Sequence, residues 1–191
     1  AADPDQEPEA IRPVPGDEIA LRQQLGKVLG HLNQSSGGAI VVGAADLLGS
    51  TAISMAADGF PAGFFHYRDN PDSRTLSVGG ICEDGMSCIL SGISGFGAHV
   101  GAGASYGAFL APLGHIPSRL HAIGNQTRKE VEPGPNRPMV LICGHAGVKT
   151  GEDGPTHADP QALQIMQENF VAGSAITLTP WDPAEMWPLT A

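Results

Sequence analysis

Apolar positions recur along this chain at two spacings, and segments of each kind alternate. Ile19, Leu21, Leu25, Val28, Leu29 and Leu32 repeat every three to four positions. That spacing predicts a helix beginning near Asp17, whose carboxylate stands where a cap is needed. Gln34-Ser-Ser-Gly-Gly38 ends the pattern. Ala39–Gly43 is short, apolar and β-branched, the signature of a buried strand. Residues 46–54 read as a polar-lined loop or helix start. Thr75–Gly79 reads as a second strand, and Glu83–Ile93 as a helix with Met86, Ile89, Leu90 and Ile93 on one face. Gly95–Gly103 is a glycine-rich strand and turn. Ser105–His121 contains a helix that Pro112 and Pro117 interrupt. Pro138–Cys143, centred on Met139-Val-Leu-Ile142, is the strongest strand signal. A loop over Thr150–Pro160, a helix over Pro160–Phe170, a last strand over Ser174–Leu178 and a short helix from Asp182 to Trp187 complete the series. Strands alternating with helices predict an α/β fold, a mostly parallel sheet with helices on both faces.

Length sets the frame for these elements. With 191 residues the chain holds one domain, here 17–191, preceded by a flexible, acidic, proline-rich arm over 1–16. Glycine is the compositional outlier: 26 residues, about twice the average usage of ~7%, while aromatics are only 5%. Such a chain packs backbone closely and leaves room for a ligand to approach it. The net charge is −10, and the 10 Lys and Arg form no cluster, which argues against nucleic acid or an anionic membrane as the main partner. No run reaches the ~18–20 apolar residues of a membrane helix. No basic-then-apolar leader opens the sequence, and Cys82, Cys88 and Cys143 make no C-x-x-C pair. Reduced thiols and a cytoplasmic location are therefore expected.

In a parallel sheet, ligands sit beyond the carboxyl ends of the strands. The predicted ends are Gly43-Ala-Ala-Asp46, Gly79-Gly-Ile-Cys-Glu83, Gly101-Ala-Gly103 and Gly144-His145. All are glycine-rich, and three of them bring in a carboxylate or a histidine. The loop from His145 to His157 is the densest, with two histidines, two acids and three glycines. A solvated acidic loop needs no such concentration of titratable groups.

Three motifs make a resemblance. Gly151-Glu-Asp-Gly-Pro-Thr-His157 is similar to the GEDGPTH signature of transketolases, with His145 at the family's spacing before it. Gly80–Ile93 resembles the family's GIREHAMGAIMNGI segment, and Ala45-Asp-Leu-Leu-Gly-Ser50 its ADL-x-x-S segment. Their order agrees with the pyrimidine-binding domain of transketolase, over roughly residues 17–188.

The resemblance implies the thiamine-diphosphate-binding fold and thiamine diphosphate as cofactor. Glu83 matches the glutamate that meets N1′ of the aminopyrimidine ring and promotes loss of the thiazolium C2 proton. The same acid, taken alone, also suits a helix start. Tyr106 and Phe109 match two aromatics packed on that ring, and Pro112 stands where a third is usual; the pair also suits a plain core. Asp46 matches an acid near the cofactor, or caps a helix. His145, Asp153 and His157 match substrate-channel residues, the histidines assisting proton transfer and the aspartate reading a sugar hydroxyl. The same three side chains would also suit a metal. Ser50 and Arg22 match a serine and an arginine that bind substrate phosphate.

Departures from the family pattern are as specific. Arg-Glu-His becomes Cys82-Glu83-Asp84, and Arg-Pro-Ala-Asp becomes Thr179-Pro-Trp-Asp182. The second change removes an arginine that binds substrate phosphate, so an unphosphorylated acceptor comes into view. The Gly-Asp-Gly metal motif of the diphosphate-binding domain does not occur. The resemblance therefore implies a subunit of a split transketolase or a fragment of a longer one, with a diphosphate-binding partner domain or subunit that holds Mg²⁺, in a hetero-oligomer of two pyrimidine and two diphosphate domains acting on sugars. Two alternatives remain at this point. One is a related thiamine enzyme, a deoxyxylulose-phosphate synthase or an oxo-acid dehydrogenase β-subunit. The other is a non-catalytic regulatory paralogue.

Overall fold

The computed structural model describes residues 2–110, 115–120, 124, 137–144, 154–157, 169–170 and 172–191. Four parallel strands form one sheet: β1 Ile40–Gly43, β2 Thr75–Leu76, β3 Val100–Tyr106 and β4 Val140–Gly144, in the order β2-β1-β3-β4. From β1 the chain moves outward to β2, then crosses back to lay β3 on the other side of β1. The direction of winding thus changes between β1 and β3, and the crevice at their carboxyl ends is the expected ligand position. The α/β architecture with a parallel sheet agrees with the hydrophobic pattern.

Helix α1, Leu21–Ser35, covers one face. It begins after Asp17: the backbone N–H of Asp17 closes a turn onto Val14, and Ala20 is the N-cap with no side-chain bond. Asp17 therefore caps nothing. Val28 and Leu29 are buried, as their spacing requires. Gly26 and Gly30 let α1 sit directly on the 3-10 turn Ile53–Ala57; a Cβ at these positions would stand 2.7 Å from the Ala52 carbonyl and 2.6 Å from that of Met55. Buried Asn33 ties three elements together, accepting from Ile40 N at 2.7 Å and donating to the carbonyls of Ile40 and Ala56. Leu29, Ile40, Val42, Ile53, Ala56, Ala102, Ala104, Leu110 and Ile142 belong to the main core, with Met86 and Leu90 from the other side.

Helix α2, Glu83–Phe96, covers the opposite face. Here the sheet is nearly bare. A Cβ on Gly101 would run into the Leu90 carbonyl, and one on Gly103 would stand 2.9 Å from Leu90 Cδ1. The helix comes so close that its buried residues include Ser87, Ser91 and Ser94, while Ile89 and Phe96 are exposed. Ser94 Oγ accepts from Gly101 N at 2.8 Å. The sequence placed Ile89 on the inner face; the close approach turns the smaller serines inward instead. Gly97, at φ 91°, ends the helix in the left-handed region, so β3 starts at Val100 and runs through Tyr106.

Other boundaries shift. The Thr75–Gly79 strand is reduced to two paired residues. Between 105 and 121 the described residues hold a 3-10 turn, Gly107–Phe109, and a helical stretch over 115–120. Ser174–Leu178, expected as a strand, pairs with none of the described strands, and Ile176 and Leu178 are exposed. Apolar alternation favours a strand only where a ladder partner exists. The helix expected over Pro160–Phe170 lies, but for its last two residues, outside the described residues.

A second cluster joins the two ends of the domain. Ile11, Val28, Met186 and Trp187 are buried together. Trp187 Nε1 donates to the Asp3 carbonyl at 3.0 Å, and buried Gln24 donates from Nε2 to the Ile11 carbonyl at 2.6 Å. The stretch read as a flexible arm is thus seated at Asp3 and Ile11; its one buried apolar side chain is easily overlooked among prolines and acids. The carboxyl-terminal helix Met186–Thr190 follows the 3-10 turn Pro183–Glu185, which opens with a reciprocal capping box between Asp182 and Glu185. Among the described residues, no helix is long and apolar enough to cross a membrane.

Two stability results follow. Gly101→Ala should destabilise the chain by about 1–3 kcal/mol or prevent folding. Gly92→Ala, on a helix face with open space around it, should be neutral or stabilise by up to ~1 kcal/mol. Urea unfolding distinguishes them, and equal effects would contradict the close α2–β3 contact. Trp187→Ala should cost about 3–5 kcal/mol and speed amide exchange over residues 2–12 in the same variant.

Candidate functional site

The carboxyl ends of β1, β3 and β4 and the amino terminus of α2 meet on one edge of the sheet. Glu83 opens α2, where the exposed N–H groups favour a carboxylate. Cys82 is its N-cap, and Cys82 Sγ accepts from Gly85 N at 3.3 Å. Glu83 is half-buried. Its Oε1 accepts a hydrogen bond of 3.3 Å from Ser105 Oγ, and Ser105 is itself 1% exposed. Residues 101, 103 and 105 point to the α2 face of β3, as strand alternation dictates. Ser105 is thus the residue of that strand end that reaches the carboxylate.

Tyr106 points to the other face, at the same edge. It pairs in register with Gly144 of β4, where a Cβ would stand 3.1 Å from the tyrosine ring. Glycine at 144 makes room for that ring. His157, at the end of the 3-10 turn Pro155–His157, meets Tyr106 edge-on at 5.9 Å and Phe109 edge-on at 5.3 Å between centroids. Tyr106 is buried, His157 half-buried, and Phe109 38% exposed, so Phe109 presents the open aromatic surface of the trio. Gly154, at φ 73°, allows the turn that returns His157 to the rings.

Asp46 lies on the exposed turn that follows β1. It caps no helix, since the next helical turn starts at Ile53 with Ala52 as N-cap. The turn is rigid. Thr51 N and Thr51 Oγ1 both donate to the Leu47 carbonyl, Ala52 N donates to Gly49, and Ala52 holds φ 58°. Ser50 is exposed on this turn. Arg22 is exposed on the first turn of α1, one helical turn before Gly26, which packs on Ala52. No hydrogen bond or ion pair joins Arg22 to Ser50. His145 and Asp153 lie outside the described residues.

The geometry therefore gathers Glu83 with Ser105, and Tyr106 and Phe109 with His157, about the end of β3. Ser105 and Thr51 are not singled out by the sequence; Gly144 is, as a strand end, but not as the residue that makes room for Tyr106. The signal for Ser105 was a lone hydroxyl next to Tyr106 at the end of a glycine-rich strand, but the strand was read as ending at Gly103. The carboxylate lies on the α2 face of that strand end and the aromatic rings on the other. Among the described residues, no three His, Cys, Asp or Glu side chains gather as a metal site.

Comparison with known proteins bears on this arrangement. The family model described as the transketolase pyrimidine-binding domain matches residues 17–189. A transketolase of Mycoplasma pneumoniae is 29% identical over 158 residues, covering 82% of this chain and 21% of the relative. The chain thus spans about a fifth of that relative's length. With almost the whole chain matched and a parallel α/β sheet of the expected kind, the protein belongs to the family of transketolase pyrimidine-binding domains.

Proposed function

We propose that this chain is the pyrimidine-binding component of a thiamine-diphosphate-dependent, transketolase-like transferase. It would act with a diphosphate-binding partner domain or subunit that holds Mg²⁺, in an assembly of two domains of each kind, in the cytoplasm. The reaction is transfer of a two-carbon ketol unit from a ketose to an aldehyde. The observation that carries the reading is Glu83: a half-buried carboxylate at a helix start and strand end, with one oxygen engaged by Ser105.

The residues present fit the cofactor's aminopyrimidine. Glu83 offers a carboxylate to a ring nitrogen, and Phe109 and Tyr106 offer aromatic surface at the same edge. Thiamine diphosphate, when bound, supplies the nucleophilic carbon that adds to a ketose carbonyl. The chain's own residues do the rest. Glu83 shares a proton with the ring nitrogen, and a partner domain closing over this edge would shelter it from water. Tyr106 and Phe109 orient the ring. His157, braced edge-on by both aromatics, exchanges a proton with substrate oxygen. By the family resemblance, His145 and Asp153 serve the same substrate. Asp46 borders the cofactor at the junction with the partner. Ser50 and Arg22 face the substrate's far end. Thr179, where the family carries arginine, is exposed, and this favours a substrate whose phosphate is absent or held elsewhere.

Two kinetic outcomes follow for the complex reconstituted with its partner. Glu83→Gln should lower kcat by about 10²–10⁴-fold while the chain stays folded. Retained turnover would contradict the assignment. Phe109→Ala should weaken cofactor binding roughly three- to tenfold, because it removes ring contact at an already half-open position. Cofactor titration followed by fluorescence quenching measures it, and an unchanged affinity would place Phe109 outside the cofactor site.

A further inference from the structure

We propose that Ser105 is a positioning residue for Glu83, holding one carboxylate oxygen so that the other is left to meet the cofactor ring. The inference rests on the reading of Glu83 given above. Ser105 Oγ donates to Glu83 Oε1 at 3.3 Å, and among the described residues no other hydrogen bond reaches that carboxylate. Ser105 is 1% exposed, so its hydroxyl is held from the protein side of a half-buried carboxylate. Strand alternation puts residue 105 on the α2 face with Gly101 and Gly103, and α2 is brought there by the close contact of Leu90 with those glycines. A glutamate in a first helical turn otherwise has three side-chain torsions free to wander. The bond removes part of that freedom before any ligand arrives.

The bond also has a direction. Because Ser105 donates to Oε1, a proton carried by the carboxyl group resides on Oε2. The hydroxyl keeps its own proton throughout, and no covalent bond changes. Oε2 is then the atom that gives a proton to, or takes one from, a ring nitrogen. Ser105 touches neither cofactor nor substrate in this account; it acts through Glu83.

The test uses the full chain, labelled with ¹³C at the glutamate carboxyl, with the Glu83 resonance assigned by its loss in Glu83→Gln. Ser105→Ala should move that resonance, and Ser105→Thr, which keeps a hydroxyl, should bring it back. In the complex with its partner, Ser105→Ala should lower kcat roughly tenfold or more, the worth of one hydrogen bond to a charged group. Cofactor affinity should stay within about twofold, and Ser105→Thr should recover most of the turnover. In a Glu83→Gln background, Ser105→Ala should add nothing further. A Glu83 resonance that is the same in Ser105→Ala as in the parent overturns the proposal, and so does an additive loss in the double variant. If the resonance moves but Glu83→Gln keeps full turnover, the contact stands and the functional reading of Glu83 falls, and Ser105's role with it.

Discussion

The packing of α2 on a strand stripped of side chains is the constraint on which the site depends. Gly101 and Gly103 leave no Cβ between the helix and β3, so Leu90 lies against the strand backbone. The helix runs opposite to the strand, and the contacts follow in order. Ser94 bonds Gly101, Leu90 covers Gly101 and Gly103, Met86 reaches Gly103, and Glu83 meets Ser105. A larger residue at Gly101 would meet the helix backbone at Leu90, lift the helix and draw Glu83 away from Ser105. Site and core are here one packing problem. The same glycines that weaken β3 as an isolated strand make it the seat of the carboxylate.

The rest of the edge is built with the same economy of volume. Gly144 opens space for Tyr106, and Gly26 and Gly30 let α1 rest on the turn after β1. That turn, held by Thr51 and the left-handed Ala52, carries Asp46 and Ser50 outward. Farther off, Ile11, Trp187 and Gln24 join the amino-terminal stretch, α1 and the carboxyl-terminal helix, so the start of α1, which carries Arg22, is anchored from behind. At this edge Phe109 is exposed, and Glu83 and His157 are half-buried.

Much of this was legible in the sequence. The period-3.6 pattern around Val28 and Leu29, the β-branched run at β1 and the apolar centre of β4 each mark an element whose burial follows from composition. The parallel fold follows from their alternation. Glu83 was legible through the resemblance of Gly80–Ile93 to the family segment; its local signals alone suit a plain helix start. What was missed depends on pairing that no local pattern records. Ile89 was expected inside, but its place is taken by serines because of two glycines on a different element. Ser174–Leu178 looks like a strand in propensity, yet it pairs with none of the described strands. Ser105 became visible only when β3 proved to run on to Tyr106, which set the parity that turns its hydroxyl to α2. Ile11 is one apolar residue among prolines, and its burial depends on Trp187 at the far end of the chain.

The central claim is that this chain completes a thiamine-dependent active site together with a diphosphate-binding partner. The most direct measurement is affinity isolation of the chain from its native lysate, with native mass and thiochrome fluorescence read on the same eluate. The account predicts a stable complex with bound thiamine diphosphate, and loss of the cofactor when the complex is taken apart. A chain recovered alone and free of thiamine would contradict it.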